Sequence, residues 1–158
     1  MKKLFLALVA VFALSMTANA QNNLGIRVGG GQGYNTELSW QHGLGGNQLE
    51  LDLGWHSDDG YTAFSLAGVY QWTGELASWG FGTLGWYAGL GVHQGYWNHE
   101  HADNHDFALG IPVQGGLDLK FSAIPIQLSL DIRPRLHLLP GDLDFYWGDI
   151  ALGIRYCF

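Results

Sequence analysis

A single cysteine, Cys157, stands in 158 residues, so no disulfide can form within one chain, even in an oxidising compartment. Charge is scarce as well. Charged residues make up 13% of the chain, against roughly 25–35% at the surface of a well-hydrated soluble domain. Lys and Arg are the scarcest, seven against fourteen acids, which excludes a protein built to neutralise nucleic-acid phosphates. Beyond the first twenty residues no apolar run approaches the roughly 18 residues of a membrane-spanning helix. Glycine (24 residues) and aromatics (14%) fill the gap. Something other than water must face much of such a surface.

The first twenty residues read as a leader. "MKK" supplies a positive start, "LFLALVAVFALSM" an apolar stretch too short to span a bilayer, and "TANA" a small-residue cleavage site with Ala18 and Ala20 in the A-x-A positions. Residues 1–20 are therefore expected to leave as a signal peptide, with no lipoprotein cysteine after the cut, and 21–158 to form one domain. Lys2 and Lys3 leave with the leader. Five bases then remain against fourteen acids, an excess of nine negative charges.

The rest of the chain alternates. Eight segments carry a period of two, the signature of strands with one face apolar: about 23–31, 34–42, 47–56, 61–73, 81–93, 106–120, 124–138 and 145–158. In "IPIQLSLDIRPRLHL", Ile126, Leu128, Leu130, Ile132, Leu136 and Leu138 alternate with Gln127, Ser129, Asp131, Arg133, Arg135 and His137. Tight turns are expected at Gly43–Gly46 and near Pro125, and polar, mostly longer loops at Ser57–Gly60, Gln94–His105 and Leu139–Asp144. Thr73–Gly80 reads as a connection too long for a tight turn. Pro112 and Pro134 fall inside segments, and because a closed sheet has no edge to excuse a missing donor, each predicts a bulge or a shortened pairing. The fold class expected is all-β: an eight-stranded antiparallel barrel.

Such a barrel can point its apolar phase inward around a ligand, as a soluble lipocalin-like barrel does, or outward at lipid. The charges choose the second. All five bases of the mature chain, Arg27, Lys120, Arg133, Arg135 and Arg155, fall on the polar phase with Glu37, Glu50, Asp52, Asp118, Asp131 and Asp149. Five against six is the near balance an enclosed charge network requires. Glycines on the same phase, Gly85, Gly89, Gly116 and Gly153 among them, leave room for long Arg side chains. Aromatics form two rough belts, Trp40, Trp72, Phe81, Phe121, Tyr156 and Phe158 toward the termini, and Tyr34, Trp55, Tyr61, Phe64, Tyr96, Trp97, Phe107, Tyr146 and Trp147 toward the other end. Trp86 and Tyr87 fall nearer mid-strand, where the general preference of rings for strands accounts for them. The expectation is a transmembrane β-barrel.

The leader, the eight alternating segments and the closing "IRYCF" resemble the small outer-membrane barrels of Gram-negative bacteria typified by the OmpA transmembrane domain and OmpX. The resemblance implies a cell outer membrane location, contact with outer-membrane lipid and lipopolysaccharide, a monomeric state, and a non-enzymatic structural or surface-interaction role. It also implies that Leu152, Ile154, Tyr156 and Phe158 form the C-terminal signal read by the barrel-assembly machinery.

Candidate chemistry lies mainly in the loops. His99, His101, Asp103 and His105, with His93, Glu100 and Asp106 nearby, offer imidazole and carboxylate donors to zinc, copper or nickel, though their spacing matches no closed site and a solvated polar loop is the plainer reading. "HSDD" (56–59) sets His, Ser and carboxylates together, as a lipid-modifying hydrolase such as a lipid A deacylase would need, but adjacent residues rarely align as a triad, and no catalytic residue is assigned. "RVGGGQG" lacks the Lys-Ser/Thr ending and following helix of a phosphate loop. An eight-stranded barrel encloses only enough space for side chains, so the eleven polar-phase charges are expected to plug the lumen, not to line a conduit. No cofactor is expected beyond divalent cations at the acidic loops, where Asp58, Asp59, Glu100, Asp103, Asp142 and Asp144 could join ions bridging lipopolysaccharide.

Overall fold

The computed structural model describes residues 21–29, 36–58, 61–99, 105–139, 143–147 and 150–158. The expected leader, Gly30–Gly33 and Tyr34 lie outside them. Ten strand segments follow one another: β1 Asn22–Gly29, β2 Thr36–Gly43, β3 Asn47–Asp58, β4 Tyr61–Trp79, β5 Gly82–His99, β6 His105–Phe121, β7 Ile126–Ile132, β8 Arg135–Leu139, β9 Asp144–Tyr146 and β10 Ile150–Cys157. Every pairing is antiparallel.

The segments make eight staves, because β7 and β8 continue one line of chain and β9 and β10 another. The circuit runs β1-β2-β3-β4-β5-β6-β7-β10 and closes where β10 pairs β1, from Asn23 opposite Cys157 to Gly29 opposite Ala151. Asn22 and Phe158 lock the seam by exchanging backbone hydrogen bonds of 3.1 and 2.8 Å. Closure removes the free edges that an open sheet of this length would expose.

Side chains alternate as the sequence predicts, with the usual burial reversed. Leucines and rings are exposed: Leu152 is 65% exposed and Val92 64%, whereas Arg133 is 0% exposed. The interior is polar, with Glu50, Gln41, Gln71 and Arg155 all buried.

Several boundaries differ from the sequence reading. Thr73–Gly80 is not a loop: β4 runs to Trp79, and the register slips between Glu75 and Ala77. That bulge shifts the alternation by one residue, so a period of two stops being visible just where the strand continues. Gln94–His99 and His105 likewise belong to β5 and β6, whose polar residues there read as loop. Trp86 is not mid-strand but four residues from the start of β5, and Tyr87 points into the lumen.

Both internal prolines interrupt the ladder. Pro134 lies in the break between β7 and β8, its carbonyl accepting from Val113 N at 2.9 Å. Around Pro112 the β5–β6 pairing skips from Leu90–Val113 to His93–Gly110.

The β2–β3 turn is closed by Leu44 N donating to Asn47 O at 2.7 Å, with Gly45 at φ 65° and Gly46 at φ 111°. A side chain at Gly46 would meet nothing within 4 Å, so any penalty there is purely backbone. Gly46→Val is expected to lower stability by about 1–3 kcal/mol, measured as an earlier urea midpoint at unchanged slope.

Candidate functional site

The polar phases of the staves converge on two linked clusters. In the first, Arg27 of β1 donates to Asp131 of β7 from Nη2 (2.6 Å) and Nε (3.1 Å), and from Nη1 to Glu37 of β2 at 2.9 Å. Glu37 also accepts from Arg133, which donates through Nη1 to Asp52 of β3 at 2.5 Å. Tyr87 of β5 completes the group, its hydroxyl donating to Asp131 at 3.1 Å. Guanidinium forks suit this role because one Arg serves two carboxylates at fixed angles.

The second cluster surrounds Glu50 of β3. It accepts from Arg155 of β10 at 3.2 Å, from Gln41 of β2 at 2.5 Å, from Gln71 of β4 at 3.1 Å and from Gln114 of β6 at 3.0 Å. Arg155 spends its other donors on Ser39 Oγ (3.0 Å) and Ser129 Oγ (2.7 Å). Gln48 extends the amide chain by donating to Gln71 at 2.6 Å, and Asn23 by donating to Gln41 at 3.1 Å. These amides were not singled out from the sequence. Being uncharged, they carry no signal beyond their place on the polar phase.

Glycine makes the room. A Cβ on Gly153 would stand 2.3 Å from Ser129 Oγ and 2.6 Å from Arg155 Nη1, and one on Gly116 would stand 2.6 Å from the Tyr87 ring.

The other predicted lumen residues lie apart. Arg135 and His93 meet toward the end opposite the termini, Nη1 to Nε2 at 2.9 Å, with Arg135 also 5.7 Å over the Tyr146 ring. His93 is thus a buried lumen residue and not a loop ligand, and Tyr146 covers the lumen mouth instead of joining a belt. Asp118 accepts from Gln127 at 3.2 Å. With the half-buried Lys120 it lines a cavity of about 280 Å³ at the mouth on the terminal side, beside Thr73, Glu75 and Thr83. Asp149 lies outside the described residues.

Of the proposed metal ligands, His101 and Asp103 lie outside the described residues, as do Glu100, Asp59 and Asp142. His105 opens β6 opposite Asn98, one position out of step with His99 at the end of β5. Among the described residues, no three His, Cys, Asp or Glu side chains gather as a metal site. His56, Ser57 and Asp58 end β3. Leu152, Ile154 and Tyr156 share the outer face of β10 and Phe158 follows its end, exposed, with the Tyr156 and Phe158 rings stacked at 6.3 Å.

The exterior carries a row of rings. Trp55, Phe64, Tyr96 and Phe107 occupy successive positions across β3 to β6, and all four are exposed. Toward the termini lie Tyr70 and Trp72 edge to face at 5.5 Å, with Trp86 exposed nearby. Tyr96 and Trp86 are ten residues apart on β5, about 33 Å of strand. At a tilt of about 40° that is about 25 Å along the axis, the height of the apolar band of a transmembrane barrel.

Neither a family model nor a curated protein matches the sequence. Among solved structures the chain is similar to the crystal structure of Neisserial surface protein A (NspA): TM-score 0.53 and 12% identity over 88% of this chain and 94% of that one. At that identity the likeness shows a shared fold.

Two substitutions probe the lumen. Gly153→Ala is expected to cost about 1–3 kcal/mol by forcing Arg155 aside. Glu50→Leu, which removes the acceptor of Arg155, is expected to cost about 3–5 kcal/mol. Urea titration of both in lipid vesicles checks the order.

Proposed function

We propose that the protein is a non-enzymatic integral barrel of the outer membrane, its lumen plugged by side chains, serving envelope structure or surface interaction. The reversed burial carries this reading. Leu, Ile, Val and aromatic side chains cover the outside while arginines, acids and amides are buried. Water is a poor solvent for the first set and hydrocarbon a good one. A soluble barrel with an apolar ligand chamber needs the opposite arrangement. The likeness to a protein named for the Neisserial surface supports the same address, and kinship with the OmpA and OmpX barrels is part of the proposal.

The lumen supports a structural role over transport. Its largest buried side chains, Arg133, Arg135, Arg155, Tyr87 and His93, fill the space between the staves. Outer-membrane lipid and lipopolysaccharide are the proposed surroundings, and the barrel-assembly machinery is the proposed reader of Leu152, Ile154, Tyr156 and Phe158. A monomer is proposed because closure leaves no seam for a partner. Divalent cations are proposed at the acidic outer loops, with Asp58 and Asp144 the described members of that set.

Cell fractionation is expected to place the protein with outer membranes, and unheated samples to migrate differently from heated ones on a gel. Leu90→Arg, on the outer face of β5 between Trp86 and Tyr96, is expected to cost about 2–4 kcal/mol in a bilayer. Recovery of the wild-type chain in the soluble fraction contradicts the proposal.

A further inference from the structure

Three charged side chains around the terminal-side cavity stand outside the arginine network. Glu37, Glu50, Asp52 and Asp131 each accept from an arginine. Asp118 does not. It is 9% exposed, and the side-chain partner of its carboxylate among the described residues is the Gln127 amide, which donates to Oδ2 at 3.2 Å. Gln127 is itself buried, and its Oε1 has no hydrogen-bond partner among the described residues. A carboxylate withdrawn this far from water and answered by one neutral amide is costly unless a cation joins it.

The register shows where such a cation fits. On the polar phase Glu75 of β4 stands opposite Gly85 of β5, and Gly85 opposite Asp118 of β6. The two acids thus flank a residue with no side chain, across about 10 Å of sheet. Asp118 leans into that gap, since a Cβ on Gly85 would stand 2.6 Å from its Oδ1. Lys120 lies two residues further along β6, opposite Thr83 and on the same face. All five residues line the cavity of about 280 Å³, with Glu75 at its exposed rim. The bulge between Glu75 and Ala77 falls at this rim, a place where bulges re-aim a side chain. Among the described residues Lys120 makes no salt bridge with either acid.

The charges select the class of ligand. A lone divalent cation between the acids would meet the ammonium of Lys120, and a lone anion on Lys120 would meet two carboxylates. A molecule that carries a primary ammonium beside a carboxylate answers all three groups with charge-assisted hydrogen bonds.

We propose that this cavity binds the head of a free amino acid, its ammonium held between Glu75 and Asp118 and its carboxylate held by Lys120. The network behind the cavity fills the lumen, so the ligand is held at the mouth and not passed through. The site belongs to the interior of the barrel and does not depend on which membrane surrounds it.

The test uses the full chain labelled with ¹³C at lysine Cε and refolded into phosphatidylcholine nanodiscs, whose headgroups carry no N–H. The lysines are Lys2, Lys3 and Lys120, and the signal lost in Lys120→Arg is that of Lys120. L-Alanine is expected to shift this signal saturably, with a midpoint of about 1 mM. Glu75→Gln, a change at the exposed rim, is expected to raise the midpoint about tenfold, and ethylamine or acetate alone to bind at least about tenfold more weakly than L-alanine. No saturable shift with L-alanine up to about 50 mM overturns the site. Acetate or ethylamine acting as strongly as L-alanine overturns the two-ended recognition, and calcium chloride shifting the signal where L-alanine does not makes it a metal site instead. Should Glu75→Gln not fold, the comparison of the four probes on the unsubstituted chain decides alone.

Discussion

The structure depends on enclosing guanidinium groups with the carboxylates that neutralise them. Arg27, Arg133 and Arg155 are buried in a space that cannot hydrate them, and each meets at least one acid drawn from another stave. A buried ion without a partner costs several kcal/mol, so the pairs constrain as much as they stabilise. Arg27 ties β1 to β2 and β7, Arg133 ties the β7 line to β2 and β3, and Arg155 ties β10 to β3. The first three strands and the last ones are thereby linked across the lumen as well as around the wall.

This arrangement explains the composition. The few charges are concentrated inside, so the outer wall is left to Leu, Ile, Val and rings, and glycine is needed where an Arg or Tyr must cross the lumen, as at Gly153 and Gly116. A slip of one residue in any strand would turn its charges toward hydrocarbon and its leucines into the network. Register is therefore set from both faces at once.

Much of this was legible in the chain. A period of two assigns each residue to a face once a strand is recognised, which is why Arg27, Glu37, Glu50, Asp52, Asp131, Arg133 and Arg155 could be placed on one phase without coordinates. Which acid meets which base was not legible, since Arg27 and Asp131 are 104 positions apart and meet only through the stagger of a closed barrel. The bulge at Glu75/Ala77 hid the end of β4, and the amides around Glu50 gave no charge signal. His93 was grouped with a histidine-rich loop by proximity in sequence, although the strand continues past it and turns its ring inward.

A barrel tied across its own interior is held from inside as well as around its wall. The most direct measurement is a double-mutant cycle on Arg133→Met and Asp52→Leu, read from urea unfolding in lipid vesicles. The account predicts a coupling of about 2–3 kcal/mol, with the double variant more stable than either single one. Additive effects with no coupling would mean that these groups are solvated separately, and would contradict an enclosed ion network as the basis of the fold.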